Sequence, residues 1–271
     1  MNIQEKLGKS GENTPANTAL VLLCHVLKRS KSWVLAHTEY QLTKPEKEIL
    51  QERLNNFLAG MPLPYLLGEW SFFGRSFIVT PDVLIPRPET ELLVEKAIQH
   101  AKFLNVPTIV DVGTGSGIIA INLAAEIPSA TITAVDISMK ALAVAKQNAI
   151  RLEQTQIYFA VTDLLSPILG LFNLICANLP YIPSRRLEKL SVTKSEPYLA
   201  LDGGPDGFSF ISTLLEQSRS RLTVPGVILL EIESSLGEQA LNLARESFPN
   251  AEIILHQDLA GHDRLIEIIQ T

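Results

Sequence analysis

The chain has 271 residues, 46% of them hydrophobic, enough to fill one large domain and a small one and far from the disordered range. With 23 basic against 29 acidic residues the net charge is −6. That argues against broad, non-specific binding to a phosphate backbone, which needs clustered Lys and Arg. Cys24 and Cys176 lie far apart in apolar surroundings without C-x-x-C spacing, the pattern of reduced, buried thiols. The five His show neither H-x-H nor H-E-x-x-H spacing, so no metal site is expected. Met1-Asn2-Ile3-Gln4-Glu5-Lys6 lacks the apolar core of a signal peptide and no run reaches membrane-spanning length, so a cytoplasmic protein without membrane attachment is expected.

Residues 16 to 59 read as helices without strands. Ala19, Leu20, Leu23, Val26 and Leu27 keep helical spacing. Thr43 and Glu46 form a capping box, Pro45 suits a first turn, and Leu50, Leu54, Phe57 and Leu58 make a stripe that Gly60 ends. Met61-Pro62-Leu63-Pro64 reads as a helix breaker and linker. Trp70 to Phe73 and Phe77 to Val79 flank Gly74-Arg75 as a hairpin, with Trp70 and Phe72 packing it onto a neighbour. A helix from about Glu89 to Phe103 opens the larger region. From there strands and helices alternate: strand Thr108–Val112, helix Ser116–Ile127, strand Thr131–Ile137, helix Met139–Leu152, and strands Gln156–Val161 and Leu171–Ala177. A helix near Phe208–Arg221, strand Val227–Ile232, helix Glu238–Phe248 and strands near Glu252–His256 and Arg264–Ile269 complete it. This alternation predicts an α/β fold with a doubly wound, mostly parallel sheet and ligands at the carboxyl ends of its strands. The short loop between the last two strands suits an antiparallel pair.

Asp111-Val112-Gly113-Thr114-Gly115-Ser116-Gly117 follows the first strand of this region and opens a helix. Its glycines allow a sharp turn and close approach to a ligand. Asp136 ends the next strand, where an acidic residue binds ribose hydroxyls. Such a loop also suits a nicotinamide enzyme, which would leave the next motif without a function. Its G-x-G-x-G spacing resembles that of S-adenosylmethionine-dependent methyltransferases. That resemblance implies that Asp163, at the end of the third strand, lies near the adenine and that Leu164 packs on the base.

Asn178-Leu179-Pro180-Tyr181 follows the apolar run Phe172–Ala177. It resembles the N-[PIL]-P-[YF] tetrapeptide of methyltransferases that alkylate a planar NH2 group, a base amine or a carboxamide. The lone pair of such a nitrogen is delocalised, so catalysis requires acceptors held where positive charge develops. The Asn178 side-chain oxygen and the Leu179 carbonyl can serve as those acceptors, Pro180 stiffens the turn, and Tyr181 can lie flat on the substrate group. No His or free carboxylate is placed by sequence as a general base, and none is required, because the proton can leave to water.

Leu84-Ile85-Pro86-Arg87-Pro88-Glu89-Thr90-Glu91 resembles the signature ahead of the catalytic domain in the protein-(glutamine-N5) methyltransferases of peptide chain release factors, the PrmC/HemK family. Four further segments resemble it too: Pro64–Trp70 with Phe73-Gly74, Ala200–Gly207, Pro225-Gly226 with Leu230-Glu231-Ile232, and Asp258–Arg264. The resemblance runs from about residue 16 to 269. It implies a class I, Rossmann-like methyltransferase domain at 87–271, a helical recognition domain at 1–62 and a linker with a hairpin at 63–86. It implies S-adenosyl-L-methionine as cofactor, held by Asp111, Gly113, Thr114, Gly115, Ser116, Gly117, Asp136, Asp163, Leu164 and Asn178, with S-adenosyl-L-homocysteine as product. It also implies Asn178, Leu179, Pro180 and Tyr181 as the catalytic and substrate-binding set, and as partner the GGQ loop of release factors, without stable nucleic-acid binding. Two positions depart from the family pattern: Leu179 replaces its usual first Pro, and Glu231-Ile232-Glu233-Ser234-Ser235 has a Glu where the family has Gly. N-L-P-Y also resembles the motif of rRNA adenine dimethyltransferases, which makes RNA the rival substrate, and a non-catalytic release-factor or ribosome-binding protein is a second rival. Arg87 and Glu89 read either as a helix-start ion pair or as shaping the site mouth, and Asp202 and Asp206 as turn and cap residues.

Overall fold

The computed structural model describes residues 15–187, 190, 193 and 195–271; Met1 to Lys6, read above for a signal peptide, lie outside the described residues. The chain divides into two compact units between Glu69 and Trp70.

The first unit is helical. α1 (Pro15–Leu27) buries Ala19, Leu20, Leu22 and Leu23. α2 (Lys31–Ala36) starts where the Ser30 hydroxyl accepts the Trp33 N–H at 3.2 Å. α3 (Lys44–Leu58) carries the capping box: the Thr43 hydroxyl accepts the Glu46 N–H at 3.4 Å, while Glu46 Oε2 accepts the Thr43 N–H at 2.7 Å. The stripe on α3 is narrower than its spacing predicts. Leu50 is buried and Leu54 and Phe57 are half-buried, but Leu58, the last helical residue, is 74% exposed. The segment read as a breaker and linker is in fact a short helix, α4 (Leu63–Leu67), closed by Gly68 at φ 75°. Pro64 fits because the first turn of a helix does not use its N–H groups. Leu66 joins Leu22, Leu23, Val34 and Leu50 in the core of this unit.

The second unit begins one residue into a hairpin of β1 (Glu69–Phe72) and β2 (Arg75–Ile78), whose Phe72 and Phe77 are buried beside α5 (Thr90–Ala101). Alternation then follows as the sequence predicts: β3 (Thr108–Val112), α6 (Ile118–Glu126), β4 (Thr131–Asp136), α7 (Met139–Arg151), β5 (Tyr158–Val161) and β6 (Phe172–Ala177). After a short α8 (Ser184–Leu187), not foreseen, come α9 (Ser209–Ser218), β7 (Leu222–Glu231), α10 (Gly237–Ser247), β8 (Glu252–Gln257) and β9 (Asp263–Gln270). β7 starts earlier than predicted. Pro225-Gly226, ahead of the predicted Val227 start, sits in an irregularity where the β6–β7 register shifts between Phe172 and Leu174.

The seven strands run in the order β5-β4-β3-β6-β7-β9-β8, with β9 antiparallel to both neighbours, so the sheet is the mostly parallel one expected. Central strands are apolar on both faces because helices cover both. On β3, Ile109 enters the core beneath α5 and α6, while Val110 and Val112 enter the one beneath α9. The winding reverses between β3 and β6, which opens a crevice at their carboxyl ends. Buried Asn148 on α7 fixes that edge: Oδ1 accepts the Ile78 N–H at 2.6 Å, and Nδ2 donates to the Ser116 carbonyl at 2.9 Å. Arg75 ties the hairpin to α6 through Asn122 Oδ1 at 2.8 Å and Glu126 at 2.9 Å.

Thr43→Ala removes the hydroxyl half of the capping box. Urea unfolding of this variant is expected to show the first unit destabilised by about 1 kcal/mol.

Candidate functional site

Gly113, Gly115 and Gly117 of the loop between β3 and α6 adopt φ of 74°, 56° and 86°, a region side chains resist. At Gly113 there is a second constraint. A Cβ there would lie 3.0 Å from Leu179 Cδ2, so its absence lets the loop press against the tetrapeptide after β6. The Gly113 and Thr114 N–H groups both donate to the Val135 carbonyl at 2.9 Å. Asp111 lies beneath the loop, fully buried, with Oδ2 accepting from Thr114 Oγ1 at 2.6 Å and from the Ala120 N–H at 3.1 Å. Its Oδ1 has no partner. Burial pushes its pKa up to about 7, against hydrogen bonds from Thr114 and Ala120 and with help from the Asp136 charge. Asp111 thus braces the loop from within and is absent from the cavity lining.

A cavity of about 290 Å³ opens above, lined by the loop from Gly113 to Ser116, Asp136, Asp163, Leu164 and Asn178. Asp136 is half-buried, with Oδ2 accepting the Gly115 N–H at 2.9 Å and Oδ1 the Ser138 N–H at 2.8 Å. Burial raises its pKa and those bonds oppose the rise. Each oxygen keeps a second lone pair, which suits a vicinal diol. Asp163 is exposed at the rim; Leu164 is buried at φ 51°, where its carbonyl accepts from Thr162 Oγ1 at 2.6 Å. A glycine cradle, an acceptor pair for ribose and an apolar wall for a base fit a nucleoside cofactor.

Asn178 and Leu179 line this cavity and also an adjoining one of about 110 Å³, which Arg87 and Tyr181 share. Leu179 is buried, and its carbonyl accepts no hydrogen bond among the described residues. Asn178 Nδ2 donates to Thr90 Oγ1 at 3.1 Å. The tetrapeptide is clamped from outside by backbone: a Cβ at Gly203 would lie 2.7 Å from Tyr181 Cα, and one at Gly207 would lie 2.5 Å from the Tyr181 carbonyl oxygen. The Gly203 N–H donates to the Ile182 carbonyl at 2.9 Å, fixing this close approach. Asp202 accepts from Ser184 Oγ at 2.6 Å and the Gly204 N–H at 3.0 Å, and Asp206 from the Phe208 N–H at 2.9 Å, the turn contacts their positions suggest.

Arg87 and Glu89 do not pair with each other as a helix-start ion pair would. Arg87 Nη2 meets the buried Glu196 at 2.6 Å, and Glu89 lies 3.7 Å from Arg264. Both partners are remote in sequence. Glu196 Oε2 also accepts the Ile85 N–H at 3.3 Å, so the segment after α8 is bonded to the segment ahead of α5 at the cavity mouth.

One residue at the site escaped the sequence reading. Glu231 ends β7 beside Asn178, because Ala177 and Leu230 are register partners on parallel strands. It is only 4% exposed, and Oε2 has no partner. Burial pushes its pKa up to about 7, with hydrogen bonding from Thr90 and Asn178 and the Arg264 charge opposing and Glu89 reinforcing. Burial, and behind it the Glu231 charge, also push the Tyr181 hydroxyl well above the phenol range, against Arg87 and Arg264. The available signal was a carboxylate inside the apolar run Val227–Ile232, where an unpaired charge is costly.

Cys176 is buried, while Cys24 is only half-buried, and both are free. Among the described residues no group of three or more His, Cys, Asp or Glu side chains could hold a metal ion, and no helix is long and apolar enough to cross a membrane.

A family model of the PrmC N-terminal domain matches residues 2–68, and one of the methyltransferase small domain matches residues 88–199. A release factor glutamine methyltransferase of Moorella thermoacetica is 38% identical over 264 residues, covering 96% of this chain and 93% of that one. One from Vibrio cholerae is 36% identical over 265 residues, covering 96% and 92%. The chain belongs to the release factor glutamine methyltransferase family. A Thermus thermophilus 16S rRNA N2 G1207 methyltransferase, solved with AdoMet and guanosine, matches this family member at TM-score 0.55 and 15% identity, over 75% of this chain and 50% of that one. A Lactobacillus delbrueckii ribosomal protein L11 methylase matches at TM-score 0.51 and 23% identity, over 68% and 81%. At such identities these two likenesses show the class I methyltransferase fold alone.

The buried Asp111 gives the free protein a pH signature. Its folded pKa lies above its unfolded value near 3.8, so the native state binds the extra proton. The associated stability is complete below about pH 4 and is lost as pH rises through about 7. Asp111→Asn is expected to remove roughly 3 kcal/mol of the wild-type decline between pH 5 and 8, measured by urea unfolding at each pH.

Proposed function

We propose that this protein transfers the methyl group of S-adenosyl-L-methionine to the side-chain amide nitrogen (N5) of the glutamine in the GGQ loop of peptide chain release factors, leaving S-adenosyl-L-homocysteine, and so acts in translation termination. The observation that carries this reading is that Asn178 and Leu179 border both cavities at once, the one lined by the glycine loop and the smaller one beside Tyr181. A methyl donor in the first and a planar amide in the second would meet at those two residues.

The loop from Gly113 to Ser116 would hold the cofactor, with Asp136 on its ribose hydroxyls and Asp163 and Leu164 at its base. When bound, it supplies an electrophilic methyl carbon on a sulfonium, so that the amide nitrogen gains a carbon and releases a proton to water. The Asn178 oxygen and the Leu179 carbonyl would accept the two amide N–H groups, holding the nitrogen in line and favouring the charge that develops there. Pro180 keeps that carbonyl in place, and Tyr181 packs on the amide plane. The first unit would dock the release factor, since a lone glutamine offers too little surface for discrimination and remote contacts must position it. The reading implies a cytoplasmic protein with no stable attachment to nucleic acid or membrane.

Incubating the protein with radiolabelled S-adenosylmethionine, purified release factors and rRNA tests this directly. The label is expected on the GGQ glutamine; label on an rRNA adenine would replace the reading. Asp136→Ala is expected to weaken cofactor binding by about 1.5–3 kcal/mol in titration calorimetry, the scale of charge-assisted hydrogen bonds. Asn178→Ala, in contrast, is expected to slow the chemical step by roughly 10²–10³ with much less change in cofactor affinity. A near wild-type rate would remove the amide clamp from the mechanism.

A further inference from the structure

The two ends of an asparagine amide are nearly the same size, so packing alone cannot decide whether oxygen or NH2 faces a ligand; the chemistry of the neighbours decides. At this site the choice matters, because a substrate amide presents N–H groups and needs oxygen opposite them. Asn178 has two neighbours that can set it. Thr90, fully buried in the first turn of α5, takes an Asn178 N–H on Oγ1 at 3.1 Å. Glu231, buried at the end of the adjoining strand, has an oxygen without a partner.

We propose that Glu231 is a positioning residue for amide methylation, an acceptor-only carboxylate that together with Thr90 engages the NH2 end of Asn178 and leaves its oxygen facing the substrate. This rests on the reading of Asn178 as the amide clamp. In its ionised form, which Thr90, Arg264 and Asn178 favour against burial, the Glu231 carboxylate offers lone pairs and no proton. With Asn178 reversed, its oxygen would face a carboxylate oxygen inside a low-dielectric pocket, and two acceptors there repel. The Thr90 hydroxyl can either give or take. With its O–H directed to Glu231, its lone pairs are left for the Asn178 N–H, as observed. Glu231 follows Leu230, the register partner of Ala177, and so ends its strand beside Asn178, while Glu89 ahead of α5 and Arg264 on β9 act on it with opposite charges. The three side chains come from α5, the end of β6 and the end of β7, so their meeting depends on the sheet.

Glu231→Gln keeps the size but adds a donor, so both orientations of Asn178 become allowed. In the full-length protein with release factor and S-adenosylmethionine, kcat is expected to fall roughly tenfold or more. Cofactor Kd and release-factor KM should stay within about twofold, a split that general loosening of the fold would not give. In an Asn178→Ala background the same substitution should change kcat by less than about twofold, because residues acting through one another are not additive. An unchanged kcat in the single variant, or a loss that multiplies in full onto Asn178→Ala, would overturn the proposal. A second arm needs no substrate. The Asn178 side-chain NH2 resonances, assigned by their loss in Asn178→Ala, should shift in both Glu231→Gln and Thr90→Val. Resonances that stay in place would overturn the proposal even if release factor proved not to be the substrate. Absence of wild-type methylation would instead overturn only the functional reading.

Discussion

Where a parallel sheet ends, the chain leaves its ladder, and the N–H groups that follow must find acceptors nearby. Here a carbonyl and two carboxylates are the acceptors. The Val135 carbonyl takes the N–H groups of Gly113 and Thr114, Asp111 the Thr114 hydroxyl and the Ala120 N–H, and Asp136 the N–H groups of Gly115 after β3 and Ser138 after β4. Because a carboxylate accepts several donors and offers none, each acts as a fixed post around which a loop closes. The cost is desolvation, visible in the raised pKa of both. The benefit is a cavity wall whose backbone is already ordered before any ligand arrives, so little conformational entropy remains to be lost on binding.

The strand–helix alternation was legible because central strands covered on both faces must be apolar throughout, and such runs stand out from amphipathic helices. The glycine loop was legible for a similar local reason: its conformation demands glycine at each turn. What the sequence concealed depends on residues distant along the chain. Glu196 is 109 positions from Arg87, and nothing near either one announces their contact. Glu231 was read as part of a strand because its neighbours are strand-like, and its environment exists only once β6, β7 and α5 are assembled. The α4 helix was hidden differently: Pro62 and Pro64 signal a break, but the same residues suit a first turn, and only the burial of Leu66 separates the two outcomes.

Leu179 raises a different question, since the family usually has proline there and the tetrapeptide must be rigid. A proline ring would restrict one backbone dihedral at position 179. The structure restricts it by other means. Leu179 is buried against Gly113, where a Cβ would crowd its Cδ2 at 3.0 Å. On the other side, Gly203 and Gly207 bring a second backbone against Tyr181 and the Pro180 carbonyl, at distances that exclude any side chain. The turn is therefore held between two backbones, with Pro180 fixed at its centre. An apolar residue at 179 anchors that turn by packing, so the Leu179 carbonyl keeps its position through the close approach of three glycines rather than through a ring of its own.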